Sequence, residues 1–402
     1  MTLGSESKRR EQNQKNAVKG IMILERLTLT NFRNYRGFDL EWSPGVNMIW
    51  GANAQGKTNL LEAIYFLSAY SSFRPGVVGE MVGKSGDFFY VGGDFISGGL
   101  KHTVKAGYSL RKKYALKLDG NVKRRLGDMI GVLNAVVFSP DDLFLMKGNP
   151  EERRRFLDGE IAQMSPQSYA VFQRYHKTLR QRNNLLKELR DGGGDSAVLA
   201  AFDRQLAESG GYILWKRKEA LDRLLPLTRL AHRRITDGRE ELILSYVGGF
   251  DFLKESELRR FSLVQWQDTF YDVLQDLRKE DIRRGTTTFG PHRDDISFTV
   301  NGDDVKKFGS QGQQRTATLA LKIGELELMK GQRGEYPILL LDDVLSELDQ
   351  DRRTALIGVV NEKIQTFITG TKEQDFIHRF LHNGNGLSIQ IAGGVVLSSK
   401  SV

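Results

Sequence analysis

Residues Gly51-Ala52-Asn53-Ala54-Gln55-Gly56-Lys57-Thr58 spell a complete G-x-x-x-x-G-K-T. Glycines let the backbone curl so that successive N–H groups face one phosphate, and the positive end of a following helix completes the cradle. Lys57 has the type and position to reach β- and γ-phosphates, and the Thr58 hydroxyl to ligate Mg²⁺. The setting agrees with that chemistry. The apolar stretch Val46–Trp50 reads as a strand entering the loop, and the helix-like run Leu60–Leu67 leaves it. A glycine turn arising by chance has no reason to carry that order of elements.

A second run, Ile338-Leu339-Leu340-Leu341-Asp342-Asp343, ends four apolar residues in two acids. It describes a buried parallel strand whose carboxyl end meets the ligand, where open α/β sheets bind nucleotides. Asp342 is placed to hold Mg²⁺ directly or through water. Asp343, one residue further on, is placed to act as general base toward an attacking water. Alone, such a run is equally a core strand with a solvated acidic end; the glycine loop favours the nucleotide reading.

Ser310-Gln311-Gly312-Gln313-Gln314-Arg315 precedes that strand and opens an amphipathic helix through Leu319, Ile323 and Leu326. It resembles the S-G-G-Q signature of ABC ATPases, with Gln311 where glycine is usual. The resemblance implies that Ser310, Gly312 and Gln313 read the γ-phosphate held by a partner subunit, so that two heads enclose two ATPs. Helix-end N–H groups and a serine hydroxyl suit that task; a plain helix cap at Ser310 is the simpler use of the same residues. Ser346-Glu347-Leu348-Asp349 resembles the D-loop of the same proteins, which makes Ser346 and Asp349 further site residues.

The elements that must hold these motifs follow from periodicity. Leu27 and Leu29 alternate with threonines, and Phe38, Leu40 and Trp42 with acids, as half-buried strands do. From about 85 to 139 short strands are broken by glycines, with a hairpin turn at Asp119-Gly120-Asn121. Residues 143–235 turn helical, with a breaker at Gly192-Gly193-Gly194, and strands return after 286. The expected fold is α/β: an ABC/SMC-type P-loop ATPase head with mixed sheet lobes and a short helical arm inserted between glycine loop and signature. The expected division is a disordered tail at 1–21, a head at 22–142 and 286–402, and an arm at 143–285. About 250 residues separate loop from signature, but Phe172, Tyr175, Leu179, Leu186 and Leu189 keep 3-4 spacing for less than three heptads, with Arg182 on the same stripe. That is an arm and not a long coiled coil.

Several stretches resemble the RecF family of bacterial recombination mediators. They are Asn31-Phe32-Arg33-Asn34-Tyr35, Ser139-Pro140-Asp141-Asp142-Leu143, Arg153-Arg154-Arg155-Phe156-Leu157-Asp158, Gln181-Arg182-Asn183 and Gly290-Pro291-His292-Arg293-Asp294-Asp295. With the ATPase motifs they cover about 22 to 375. The resemblance implies ATP and Mg²⁺ as cofactors, an ATP-dependent homodimer and weak DNA-dependent ATPase activity. It also implies binding at gapped or single-strand/double-strand junction DNA, and work with RecR and RecO in loading RecA. Two departures stand out. Thr366-Phe367-Ile368-Thr369-Gly370-Thr371 holds no histidine where ABC proteins commonly carry one, so Thr369 or Thr371, or neither, contacts phosphate, and no Q-loop glutamine lies near Val137 to Leu143. Both suggest slow hydrolysis.

Bulk properties bound the partners. The 402 residues carry a net charge of +9, with 40% hydrophobic and 27% charged residues and no cysteine. Disulfides and thiolate metal sites are therefore excluded, and a reducing cytoplasm fits. No apolar run approaches the ~18 residues of a membrane helix, and no apolar core of a secretory signal stands at the N-terminus. Residues 1–21 hold five basic side chains against two acidic ones, so part of the net charge belongs to that tail. Between 171 and 190, Arg174, Lys177, Arg180, Arg182 and Lys187, with Arg190, face only Glu188 as an acid, a face that phosphates would reward. The same face would serve as an ordinary solvated helix surface. Arg111, Lys112, Lys113, Lys123, Arg124 and Arg125 flank the hairpin turn in similar fashion. His378 and His382 have metal-like spacing without a third ligand nearby. Two other classes remain: a transporter-type ABC subunit, against which the arm argues, and an ATP-gated structural clamp with negligible turnover.

Overall fold

The computed structural model describes residues 20–111, 113–248, 250, 253, 255–258, 260–360, 364–373 and 386–401. The expected tail falls outside these residues except for Gly20 and Ile21, as do His378 and His382. The chain divides into two compact units, Met1–Leu143 with Leu227–Arg239 and Arg315–Val402, and Phe144–Pro226 with Glu240–Gln314.

The first unit holds two six-stranded sheets. One is antiparallel, in the order β2-β1-β4-β5-β6-β7, formed by β1 (Ile23–Phe32), β2 (Tyr35–Glu41), β4 (Phe88–Ser97), β5 (Leu100–Ser109), β6 (Lys113–Leu118) and β7 (Asn121–Lys123). Alternation sets its faces: Leu27 and Leu29 are buried while Thr28 and Thr30 point outward, and Phe89, Val91 and Phe95 continue the inner face on β4. Phe32, Phe66 and Phe89 meet at ring distances of 5.1–6.4 Å, tying this sheet to the helix Lys57–Ala69. The hairpin turn forms where expected, with Asp119 and Gly120 both at positive φ, as a type I′ turn demands.

The second sheet has the order β15-β14-β3-β13-β12-β8. Its strands are β3 (Val46–Trp50), β8 (Ala135–Phe138), β12 (Ile338–Leu341), β13 (Thr366–Gly370), β14 (Leu387–Ala392) and β15 (Val395–Ser401). All pairings are parallel except β14 with β15. Strands β8, β12 and β13 are buried at every residue, as the continuous apolar sequences of β8 and β12 require of a sheet covered on both sides. Parallel pairing brings four carboxyl ends to one edge: the glycine loop after β3, Thr369 to Thr371, Asp342-Asp343, and the turn at Ser139–Leu143. The Asp342 N–H donates to Phe138 O at 2.9 Å, and the Gly51 N–H to Gly370 O at 3.3 Å.

The second unit is built on the helices Pro150–Met164, Pro166–Arg190 and the first part of Ser196–Ile235, joined by Leu263–Asp276 and Arg278–Arg284. Two of these begin with proline at the first helical position, whose missing N–H costs nothing there. The breaker at Gly192–Gly194 lies between the second and third. A three-stranded sheet, β11 (Asp303–Asp304), β10 (Asp295–Val300) and β9 (Leu242–Val247), completes the unit. The boundary at 286 expected from sequence needs correcting. Residues up to 314 belong with the arm, because β10 pairs with β9 along its whole length. Conversely Leu227–Arg239 belongs with the head, where Thr228 packs so closely on Gly324 that a Cβ there would come within 2.5 Å of its hydroxyl.

Candidate nucleotide and metal site

The glycine loop needs its glycines for two separate reasons. Gly51 and Gly56 sit at φ of 152° and 110°, which side chains rarely adopt, and added Cβ atoms would come within 2.3 Å of Ile391 O and 2.5 Å of the Asn34 amide. Ala54 also takes a positive φ. Lys57 opens the helix and turns its Nζ back to Gly51 O at 2.7 Å and Ala52 O at 2.8 Å. Burial lowers its pKa, while Asp343 and Asp342 pull it up. An ammonium held over loop carbonyls is free to exchange those weak acceptors for phosphate oxygens.

The acidic strand delivers Asp342 against the loop. Thr58 Oγ1 donates to Asp342 Oδ1 at 2.9 Å, and Thr369 Oγ1 donates to the same oxygen at 2.8 Å. Burial raises the Asp342 pKa; the Thr369 and Thr58 hydroxyls and the Arg74 charge oppose that rise. A hydroxyl and one buried carboxylate side by side are hard oxygen donors, too few for an all-protein cage. No group of three acid or histidine side chains able to hold a metal occurs among the described residues. That donor set suits Mg²⁺, which takes one or two protein ligands and completes its shell with water and phosphate. Thr369 also accepts from the Asp343 N–H at 2.9 Å. Thr369 therefore orients both acids, a role the sequence left open. Asp343 is exposed at φ 52° and starts the short helix Val344–Glu347, and Ser346 Oγ donates to its carbonyl at 2.7 Å.

Ser310 and Gln313 cap the helix Gln311–Arg333 reciprocally. The Gln313 N–H donates to Ser310 Oγ at 3.2 Å and the Ser310 N–H to Gln313 Oε1 at 3.0 Å. Ser310 stays exposed with its own proton unspent on these bonds. The segment Ser346–Asp349, expected from sequence to act as a D-loop, is tied to the same helix: Arg352 bonds Asp349 and donates to Thr316 Oγ1 at 2.8 Å. Where a Q-loop would lie, Asp142 Oδ2 instead accepts from the Ser139 N–H at 2.6 Å. Burial pushes this carboxyl up to about 6, with Lys322 acting against the rise. Gly312 keeps its place in the first turn of the capped helix.

Sequence reasoning missed a polar brace behind the loop. Glu62 is buried and receives both ends of the Arg33 guanidinium at 2.8 and 2.7 Å, with Arg74 and Ser72 on the same carboxylate. Burial alone would raise its pKa, but these donors hold it below the usual range. Asn34 donates to Gln55 O at 3.1 Å and accepts from Asn59 at 2.8 Å, and Tyr35 OH donates to Gly56 O at 3.0 Å. The signal was present in Asn31–Tyr35, which stood out only by resemblance. Gln55 is further held by the C-terminal turn, whose Gly393 and Gly394 N–H groups donate to its side chain and carbonyl. Asn53 accepts from Gln55 across the loop.

One expected surface residue is corrected. Arg182 is not available to DNA: it is fully buried, donating to Asp203 at 2.7 Å, Asp281 at 2.7 Å and Thr287 at 2.8 Å. It lies on the apolar stripe of its helix, and two carboxylates compensate its charge there. Arg174, Lys177, Arg180 and Lys187 are exposed on the other side of the same helix.

The RecF/RecN/SMC N terminal domain model matches residues 23–383 of the chain. A protein of Natranaerobius thermophilus named DNA replication and repair protein RecF is 41% identical over 357 residues, covering 88% of this chain and 92% of that protein. One of Halalkalibacterium halodurans with the same name is 42% identical over 363 residues, covering 90% and 95%. The solved structure of the recombination mediator protein RecF-ATP in the RecFOR pathway superposes with a TM-score of 0.84 at 33% identity, covering 95% of this chain and 98% of that one.

Proposed function

The chain belongs to the RecF family within the RecF/RecN/SMC group, and from that premise we propose that it is an ATP-hydrolysing DNA repair protein switched by head-to-tail dimerisation. The single observation that carries the ATPase reading is the shared oxygen of Asp342, which accepts from Thr58 of the glycine loop and Thr369 of β13. In this reading the loop N–H groups and Lys57 hold the triphosphate. Thr58 and Asp342 hold Mg²⁺, whose positive charge neutralises developing negative charge on the phosphates. Asp343, fixed through its N–H by Thr369, accepts the proton of the attacking water. Ser310, Gly312 and Gln313 lie at the N-terminal end of a 23-residue helix, suited to a partner's γ-phosphate. The lack of a histidine within residues 366–371 supports slow turnover, since Thr369 spends its hydroxyl on Asp342.

The names of the relatives support a role in replication and repair, and the RecFOR structure supports work with RecO and RecR ahead of RecA. Gapped or junction DNA is the proposed substrate, with Arg174, Lys177, Arg180 and Lys187 on the arm contacting phosphate. No described helix is long and apolar enough to cross a membrane, in keeping with a nucleoid partner. The test is Ser310→Arg. The added side chain fills the space where a partner's phosphate must dock, so ATP binding by the monomer is kept and the ATP-dependent dimer is lost. A symmetric dimer doubles the phosphate contacts available to one DNA, so the variant binds more weakly with a shallower salt dependence. Equal dimerisation, or equal DNA affinity and salt slope with ATP, would sink the switch.

A further inference from the structure

Lys105 on β5 and Lys117 on β6 are direct cross-strand partners on the outer face of the antiparallel sheet. Both are exposed, and neither makes an ion pair among the described residues. Like charges placed directly opposite destabilise a sheet. Lysines are also used to blunt sheet edges, but β5 lies between β4 and β6, so edge protection does not account for Lys105. Arg124 and Arg125 add exposed charge toward the other end of β6, where Lys113 is exposed and sets its Nζ over the Tyr108 ring at 5.8 Å.

Aromatic rings share this face. Lys105 stands opposite Gly92 of β4, and the Tyr90 ring is laid over Gly92, where a Cβ would come within 3.0 Å of Cζ and 3.2 Å of Cε1. Phe88 projects on the same side as Tyr90 and is 48% exposed. Its row runs through Ser109 to Lys113. The two rows, Gly92–Lys105–Lys117 and Phe88–Ser109–Lys113, lie four residues apart, about 13 Å along the strands. Aromatic rings lie at the inner end of these rows and ammonium groups at the outer end.

We propose that this face binds single-stranded nucleic acid, with phosphates against Lys105 and Lys117 and bases stacked on Phe88 and Tyr90. Lysines reward a phosphate backbone through counterion release, and exposed rings reward bases whose faces are not already covered by neighbours in a duplex. An acidic protein surface would satisfy the lysines but leave the rings unused. The site deepens the DNA-binding reading above and rests on it, while lying on the head and needing no nucleotide.

The experiment uses the full chain without ATP and measures anisotropy of labelled dT15, the dT15·dA15 duplex and a polyglutamate peptide over a salt series. The wild type binds dT15 more tightly than the other two. Lys105→Glu combined with Lys117→Glu weakens dT15 binding tenfold or more and flattens the log–log salt slope by about 1.4, the share of two single-strand phosphate contacts. Phe88→Ala weakens it about fivefold or more with the slope unchanged. ATP affinity, measured in parallel, is the same in all variants and certifies their folding. Unchanged dT15 affinity in the charge-reversed variant, no loss in Phe88→Ala, or tighter binding of duplex or peptide by the wild type would each overturn the assignment. Failure of the dimer switch shows instead in the Ser310→Arg test with ATP, which leaves this face untouched.

Discussion

Thr369→Val isolates the hydroxyl that joins the two acids. Thr369 is 1% exposed on a central strand, and valine nearly matches its volume, so the change opens no cavity. It removes a 2.8 Å bond to a carboxylate and the acceptor for the Asp343 N–H. A hydrogen bond to a charged group contributes about 1.5–3 kcal/mol, which corresponds to a ten- to hundredfold smaller ionised-to-neutral ratio for Asp342 at a given pH. The sign follows from the environment. Burial already raises the Asp342 pKa and the Thr369 hydroxyl opposes it, so losing the hydroxyl raises it further. The ionised form that receives Mg²⁺ is then reached only at higher pH. The acid limb of kcat/KM for ATP hydrolysis, which reports the free enzyme, therefore moves to higher pH in Thr369→Val and stays at the wild-type position in Thr369→Ser. Linkage gives the matching stability trend. A carboxyl raised in the folded state binds more protons folded than unfolded, so its relative contribution favours the fold at low pH and is lost as pH rises through the folded value. The valine variant is accordingly penalised more at pH 8 than at pH 5 in urea unfolding. An acid limb coinciding with wild type, in a folded variant that still binds ATP, would refute the role given to Thr369.

Three further outcomes follow from the same geometry. Lys57→Ala loses ATP affinity while its stability changes by about 1 kcal/mol or less, because Nζ bonds only two loop carbonyls; fluorescent-ATP titration beside urea unfolding checks this, and unchanged affinity would remove Lys57 from the phosphate site. Asp343→Asn keeps ATP and Mg²⁺ binding but slows single-turnover hydrolysis about 10²- to 10⁴-fold and accumulates dimer; a wild-type rate would place the base elsewhere. Arg182→Ala strands the Asp203 and Asp281 carboxylates in the interior and costs about 3–5 kcal/mol, whereas Arg180→Ala on the exposed face changes stability by about 0.5 kcal/mol or less. Equal urea midpoints for those two variants would contradict the burial of Arg182.

The sequence by itself determined the chemistry that is contiguous. Gly51 to Thr58 and Ile338 to Asp343 each carry their own strand, turn and functional groups, because the backbone path that presents phosphate donors or a terminal acid is set within a few residues. The helical stripe through Phe172, Tyr175, Leu179 and Leu186 was legible for the same reason, although Arg182 on that stripe was read as a phosphate contact and proves buried. What only tertiary structure decided is pairing across long separations. Nothing near Arg182 announces that Asp203 and Asp281 will neutralise it. Parallel strand order alone makes Asp342 the link between Thr58 and Thr369, and antiparallel register alone sets Lys105 against Lys117. A strand's period fixes which face a side chain takes, but a shift of the partner strand changes every neighbour, so register is settled by the packing of the whole sheet.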